Sequence, residues 1–142
     1  MSFLKKVLLS CSVTRSIALK IRRHQLSYSL YRKTSAVLDN FERQGRVVFY
    51  LGIPAHSNLG DLAQGVCIRR WLKKHYPDRQ VIEIETNALV NTPFSVLDKL
   101  SALYKSGDMI VFQSGYTTTD LGGHADEMHR AVMTALPDAD ML

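Results

Sequence analysis

Much that would mark a secreted or membrane-spanning protein is missing from this chain. Only two cysteines occur, Cys11 and Cys67. They lie far apart with no metal-ligand spacing, so neither a disulfide framework nor a zinc knuckle is encoded, and two free thiols in a reducing, cytoplasmic setting are expected. No apolar run reaches the length needed to cross a bilayer. The run before Leu8-Leu9-Ser10-Cys11 is too short for a signal peptide, and Arg15 breaks the apolar character just beyond it. There is no internal repeat and no low-complexity tract. No glycine triad follows a strand at dinucleotide-binding spacing; Gly122-Gly123 alone does not make one.

Acid is absent from one region. Residues 1–38 hold eight Lys or Arg and no Asp or Glu, whereas residues 39–142 hold ten bases against thirteen acids. The formal net charge of +5 therefore belongs to the N-terminal segment. The remainder lacks a basic face with interleaved aromatics, which argues against nucleic acid as a partner. With 142 residues, one ordinary core can be buried. Two regions are expected: a basic helical segment over 1–44 and an α/β domain over 45–142.

The domain is organised around Val47-Val48-Phe49-Tyr50-Leu51-Gly52 and the polar residues up to Asp61. Five consecutive apolar or aromatic residues suit a strand covered on both faces. Gly52 and Pro54 end it, and Asn58 and Gly60 tolerate the positive φ of a tight turn. Asp61 then stands as helix N-cap acceptor or first-turn acid. A helix over Leu62–His75 comes next, with Ala63, Val66, Cys67, Ile68, Trp71 and Leu72 as its apolar side. Gln80–Glu85 reads as a strand nearer the sheet edge. Thr92 and Pro93 read as cap and first position of a helix through Phe94, Leu97, Leu100, Leu103 and Tyr104, closed by Gly107. Met109–Phe112 reads as a third strand, residues 113–123 as a polar loop, Ala125–Leu136 as a helix and Asp140-Met141-Leu142 as the beginning of a fourth strand.

Strands alternating with helices at this spacing predict a Rossmann-like parallel sheet flanked by helices, with right-handed crossovers. Ligands of such sheets bind beyond the carboxyl ends of the strands, so the turns at 53–61 and 113–123 are expected to rim one pocket. A strand-turn-helix of this kind points backbone N–H groups at one spot, favouring an anion or an oxygen-rich sugar.

Tyr50-Leu51-Gly52 through His56-Ser57-Asn58-Leu59-Gly60-Asp61, with Tyr76-Pro77 and Val81-Ile82-Glu83-Ile84 downstream, resembles the opening of the polysaccharide pyruvyl transferase family. Gly107-Asp108-Met109-Ile110-Val111-Phe112-Gln113-Ser114-Gly115 is similar to that family's strand ending in a glycine-rich turn, and Glu127 and Arg130 fit its next helix. Where the family has a run of glycines followed by asparagine, this chain has Ser114-Gly115-Tyr116-Thr117. The resemblance covers about residues 45–142, the family's N-terminal half. It implies the first domain of a two-domain, glycosyltransferase-B-like fold. It also implies transfer of a pyruvyl group from phosphoenolpyruvate, the donor substrate, to a sugar of an exopolysaccharide or cell-surface glycan, with no further cofactor. That chemistry needs an acid for the methylene carbon, a stabilised cation-like centre, cations for phosphate and carboxylate, and a base near the accepting hydroxyl.

On this reading Asp61 is the candidate catalytic residue, accepting a sugar hydroxyl proton. His56, Asn58, Gly60, Gly115, Tyr116, Asp120 and Arg130 are the candidate substrate contacts. Each has a plainer role: Asp61 as a helix-start acid, Gly60 as turn geometry, His56 as an exposed loop histidine, Tyr116 as a cap on the sheet end, and Arg130 as the partner of Glu127 at i, i+3 or of a neighbouring loop. His124 and His129, near Asp120 and Asp126, lack a third ligand at set spacing, so no metal site is assigned. The resemblance puts the acid histidine and the phosphate-binding arginines in the family's other half, and the 142 residues alone are expected to be inactive.

The implied acceptor is a sugar or lipid-linked glycan. Residues 3–33 are read either as a contact with an anionic membrane surface, at the inner face of a cytoplasmic membrane, or as a solvated helix on the domain edge; the drifting apolar stripe favours the latter. Two alternatives stand beside the transferase: a non-catalytic sugar-binding or interaction domain, and part of a nucleotide-sugar glycosyltransferase.

Overall fold

The computed structural model describes residues 12–53, 58–113 and 123–142. Nine elements succeed one another: α1 (Ser12–Asp39), β1 (Val47–Ile53), α2 (Leu59–His75), β2 (Gln80–Glu85), α3 (Thr86–Val90), α4 (Leu97–Leu103), β3 (Met109–Phe112), α5 (His124–Ala135) and β4 (Asp140–Met141). The four strands form one all-parallel sheet in the order β2-β1-β3-β4. The Rossmann-like α/β architecture expected from the alternation of elements is what the chain adopts.

Strand β1 is central because nothing in it needs water. Val47 to Leu51 are wholly buried, with β2 on one side (Val47 opposite Gln80, Leu51 opposite Ile84) and β3 on the other (Val48 opposite Met109, Leu51 opposite Phe112). Its odd-numbered residues face a core of Ile82, Ile84, Ile110, Leu100, Met128 and Val132; its even-numbered residues meet Met109, Val111 and Leu72 on the opposite face. Period-two alternation in a continuously apolar strand thus feeds two cores at once.

The chain crosses from β1 to β2 in one direction, then from β2 to β3 and β3 to β4 in the other. A constant crossover hand then requires the helices to change face. They do: α2 lies with Val48 and Tyr50, whereas α1, α3, α4 and α5 share the Phe49 face. The direction reverses between β1 and β3, which makes that boundary the topological switch point.

Asp108, in the turn before β3, ties the amino ends of the strands together. Its carboxylate accepts from the Arg43 guanidinium at 2.9 Å, the Val47 N–H at 2.8 Å and the Lys105 N–H at 2.9 Å, while Arg43 also donates to the Leu103 carbonyl. Burial alone would raise this carboxyl; the Arg43 and backbone donors outweigh it and hold the group below its ordinary value.

Several boundaries differ from the sequence reading, each for a local reason. Helix α2 begins at Leu59, not Leu62, because Asn58 caps it. Its buried side is Gly65 and Leu72, with Ile68 partly covered, while Ala63, Val66, Cys67 and Trp71 are exposed. The Thr92-Pro93 helix start is not formed. Those residues lie in a turn with a cis peptide bond between them, and α4 starts at Leu97, where the Ser95 hydroxyl donates to the Leu89 carbonyl (2.5 Å) and accepts from the Leu97 N–H (3.1 Å). The sequence reading passed over α3, whose Ala88 and Leu89 are buried beneath α1 and α5. Gly107 does not close a helix, since α4 ends at Leu103; it takes φ +89° in the turn before β3. Asp140–Met141 pair with β3 as a parallel strand.

The basic segment is one helix over its described part. Helix α1 holds 28 residues, roughly 42 Å at about 1.5 Å per residue. Only its C-terminal portion docks: Leu38 and Ser35 are buried, Leu30 and Tyr31 pack on the core, and Asp39 pairs with Lys99 at 2.5 Å. His24, Tyr28 and Tyr31 gather around Phe94, with ring centroids 4.9, 5.2 and 6.1 Å away. Ile17, Leu19, Ile21 and Leu26 are exposed. No helix among the described residues is long and apolar enough to cross a membrane.

Candidate functional site

The candidate site lies at the carboxyl ends of β1 and β3, the switch point. Strand β1 does not stop at Gly52. The strand continues to Ile53, with an irregularity in its pairing to β2 between Leu51 and Ile53. Gly52 has φ +83°, and a Cβ there would sit 3.1 Å from Met128 Cε and 3.4 Å from Gln113 Cβ. The backbone conformation calls for glycine, and the close approach of Met128 and Gln113 adds to the preference. Positive φ is thus needed at Gly52, not at Asn58 or Gly60 as the sequence suggested; Asn58 has φ −64° and Gly60 lies within α2.

Asn58 is the N-cap. Its side-chain oxygen accepts from the Gly60 N–H at 3.0 Å, and its carbonyl accepts from the Leu62 N–H at 3.0 Å. Asp61 is therefore the first-turn acid, half-buried and favourably placed against the helix dipole. The cap leaves the exposed Asn58 amide nitrogen available to a ligand.

Gln113 joins the two loops. It comes directly after β3 and is buried, and its backbone N–H donates to the Leu51 carbonyl at 2.8 Å, extending the pairing with β1. The Tyr50 hydroxyl donates to its side-chain oxygen. Its Nε2 donates to the Asp61 carbonyl at 3.3 Å and reaches the Gln64 oxygen at 3.4 Å. One amide therefore binds the end of β3, the interior of β1 and the first turn of α2.

Beneath this network, Gly65 lets α2 approach: a Cβ there would stand 3.6 Å from the Tyr50 hydroxyl and 3.2 Å from an Arg69 nitrogen. Arg69 forks onto Glu83 of β2 at 2.6 and 2.7 Å and lies 5.9 Å above the Tyr50 ring. Hydrogen bonding to Glu83 raises the Arg69 pKa further. Burial pushes the Tyr50 phenol up to about 12; Arg69 opposes the shift and Glu83 adds to it. Tyr50 is thus a neutral structural donor rather than an acid-base group at neutral pH.

Helix α5 closes the side opposite α2. Met128 and His129 are buried, and the His129 ring stands edge-on to Phe112 at 4.3 Å. Arg130 pairs with Asp126 at 2.9 Å, one turn back, and not with Glu127 as expected; the i, i+4 geometry brings Asp126 into reach. Its side chain is 79% exposed, so α5 directs it to solvent and not toward the switch point. Among the described residues no three His, Cys, Asp or Glu come together as metal ligands.

Of the sequence-derived candidates, Asn58, Gly60 and Asp61 stand together at the start of α2 beside Gln113, and Arg130 stands apart. His56, Gly115, Tyr116 and Asp120 lie outside the described residues. Sequence reasoning missed the Tyr50–Gln113–Gln64 chain. Its one signal was a phenol inside an otherwise aliphatic buried strand, since a buried hydroxyl needs a partner. Comparison with protein-family models, curated proteins and solved structures found no match to this chain.

Proposed function

We propose that the chain is a polysaccharide pyruvyl transferase-like protein, forming the acceptor-side domain of an enzyme that moves a pyruvyl group from phosphoenolpyruvate to a sugar of an exopolysaccharide or cell-surface glycan. The observation that carries this reading is the Gln113–Asp61 contact. It joins the two family-like motifs, 50–61 and 107–115, at one switch point, where α/β sheets hold ligands.

In this role the uncapped side of Asn58 and the backbone N–H groups opening α2 orient sugar hydroxyls, and Asp61 accepts the proton of the attacking hydroxyl. Two cations of the flanking helices, Arg69 and Arg130, are held by Glu83 and Asp126. Neither of these two arginines is therefore unpaired for the phosphate and carboxylate of the donor, in keeping with a glycosyltransferase-B-like pair of domains in which the second supplies the cations. A cytoplasmic position belongs to the same reading, with α1 as a solvated helix on the domain edge, its exposed Ile17 and Ile21 on one side and Leu19 on the other.

Hydrogen exchange of the purified chain tests the proposal. Acceptor oligosaccharides should slow exchange in the first turn of α2, and no phosphate should be released from phosphoenolpyruvate. Phosphate release tied to an acceptor would refute inactivity of the lone chain. Thermal protection by a nucleotide diphosphate exceeding that by phosphoenolpyruvate or the glycan would move the assignment to a nucleotide-sugar glycosyltransferase. Glycan binding that leaves activity absent even with the cationic half supplied in trans would make it a binding module.

A further inference from the structure

Helices α1 and α3 leave an open groove of about 1040 Å³ between them, extending to Glu85 at the carboxyl end of β2 and to His124 at the start of α5. The α1 wall is cationic, bearing Lys20, Arg23 and Lys33. Across from it stand the amides of Asn87 and Asn91, one helical turn apart. Glu85 is the only carboxylate among the described lining residues.

None of these three cations and neither asparagine side chain has a hydrogen bond or ion pair among the described residues. Elsewhere the cations that hold the domain together do have partners: Arg43 meets Asp108, Arg69 meets Glu83, and Lys99 meets Asp39. His24, next to Arg23 and one turn from Lys20, packs edge-on to Phe94 at 4.9 Å and so docks that part of α1 on the groove floor. A concave surface with cations on one side, Lys20 and Arg23 a turn apart and Lys33 roughly 15 Å further along α1, and amide donors on the other is complementary to an oxyanion, which would accept the unused N–H groups.

We propose that this groove binds a ligand carrying a phosphate or diphosphate group on a larger body. Its volume exceeds what a bare phosphate fills and is at the upper end of ordinary ligand sites. Leu26 on its lining is 63% exposed, so a lipid headgroup can reach the cations as readily as a soluble phosphorylated compound. The inference stands apart from the pyruvyl transfer reading, since it uses no residue of the switch point.

Calorimetric titration of the chain with sodium diphosphate is the test, beside co-sedimentation with phosphatidylcholine vesicles with and without phosphatidylglycerol. The combined Lys20→Gln, Arg23→Gln, Lys33→Gln variant should bind diphosphate about tenfold or more weakly, given the strength of charge-assisted hydrogen bonds. A control removing equal charge from the exposed end of α2, Arg70→Gln, Lys73→Gln, Lys74→Gln, should leave binding unchanged. Retained helix signal and melting temperature show that both variants fold. If phosphatidylglycerol vesicles also bind, and diphosphate competes with them, the source is a headgroup; if vesicles are ignored, it is soluble. Absence of diphosphate binding, an equal loss in the control, or vesicle binding without diphosphate binding would each overturn the proposal.

Discussion

The hydroxyl of Tyr50, in the middle of the central strand, donates to the side-chain oxygen of Gln113 at the end of the neighbouring strand. Both residues are buried, so each is the other's replacement for water. Tyr50→Phe removes the phenol donor to the Gln113 oxygen and should cost about 0.5–1.5 kcal/mol, the net worth of one hydrogen bond. Gln113→Leu should cost a similar amount. The double variant should be less destabilised than the sum, with a coupling of about 1 kcal/mol or more by urea denaturation. Additive losses would show that the bond contributes nothing.

The same phenol predicts behaviour at high pH. Its folded pKa is about 12, against an ordinary 10.0. Because the folded value is raised, the contribution is complete below pH 10 and is lost as pH rises from 10 toward 12. Wild-type stability should therefore fall more steeply over that range than that of Tyr50→Phe. Parallel curves would contradict the burial of a neutral phenol.

Asp108 predicts the opposite limb. Its carboxyl is held below the ordinary value, so the stability it contributes is present above the unfolded carboxyl pKa of about 3.9 and lost as pH falls through the folded one. Asp108→Ala leaves Arg43 and two backbone N–H groups without their acceptor and should cost about 3–5 kcal/mol at neutral pH. Chemical denaturation at neutral and acid pH checks both, with the gap between wild type and variant narrowing in acid.

Gly52, at the end of β1, and Gly60, in the first turn of α2, should respond in opposite directions. Gly52→Ala meets a positive φ and Met128 at 3.1 Å, and should destabilise by about 1–3 kcal/mol. Gly60→Ala lies in a helix, where the added carbon meets only the Asn58 oxygen at 3.5 Å, and should stabilise by about 0.5–1 kcal/mol. Thermal melts of the two variants decide whether the positive φ belongs to Gly52 and not to Gly60.

Asn58 has two roles that serine separates. Asn58→Ser keeps a capping oxygen and should change stability by only about 0.5 kcal/mol, whereas Asn58→Ala should cost about 1 kcal/mol. If the amide grips a sugar, both variants should lose acceptor binding equally. Binding retained by serine would reduce Asn58 to a cap.

The strand-helix alternation was legible because β1 and β3 are apolar enough to admit only burial, and because Pro77, Gly107 and the polar turns punctuate the chain. What eluded the sequence depended on choices between side-chain partners and on packing that composition does not record. Whether Asn58 or Asp61 caps α2 is decided by a side-chain hydrogen bond that either residue type can make. That Arg130 reaches Asp126 and not Glu127 is a choice between i, i+4 and i, i+3 partners that spacing alone leaves open. Helix α3 has too few residues for its period to show, and its burial comes from α1 and α5. The apolar residues of α2 misled because composition does not say which side the sheet covers; Gly65, read as nothing in particular, sits where helix and strand come closest.

The unequal cladding of the sheet carries one last implication. Among the described residues four helices insulate the Phe49 side and α2 is the one helix on the Tyr50 side, with Leu59, Leu62, Val66 and Trp71 of α2 turned outward. A sub-global opening should therefore peel α2 away first. The proposed sugar-gripping turn would thus ride on the most easily released layer of the molecule, so that capturing a ligand there and fastening that layer down would be one event.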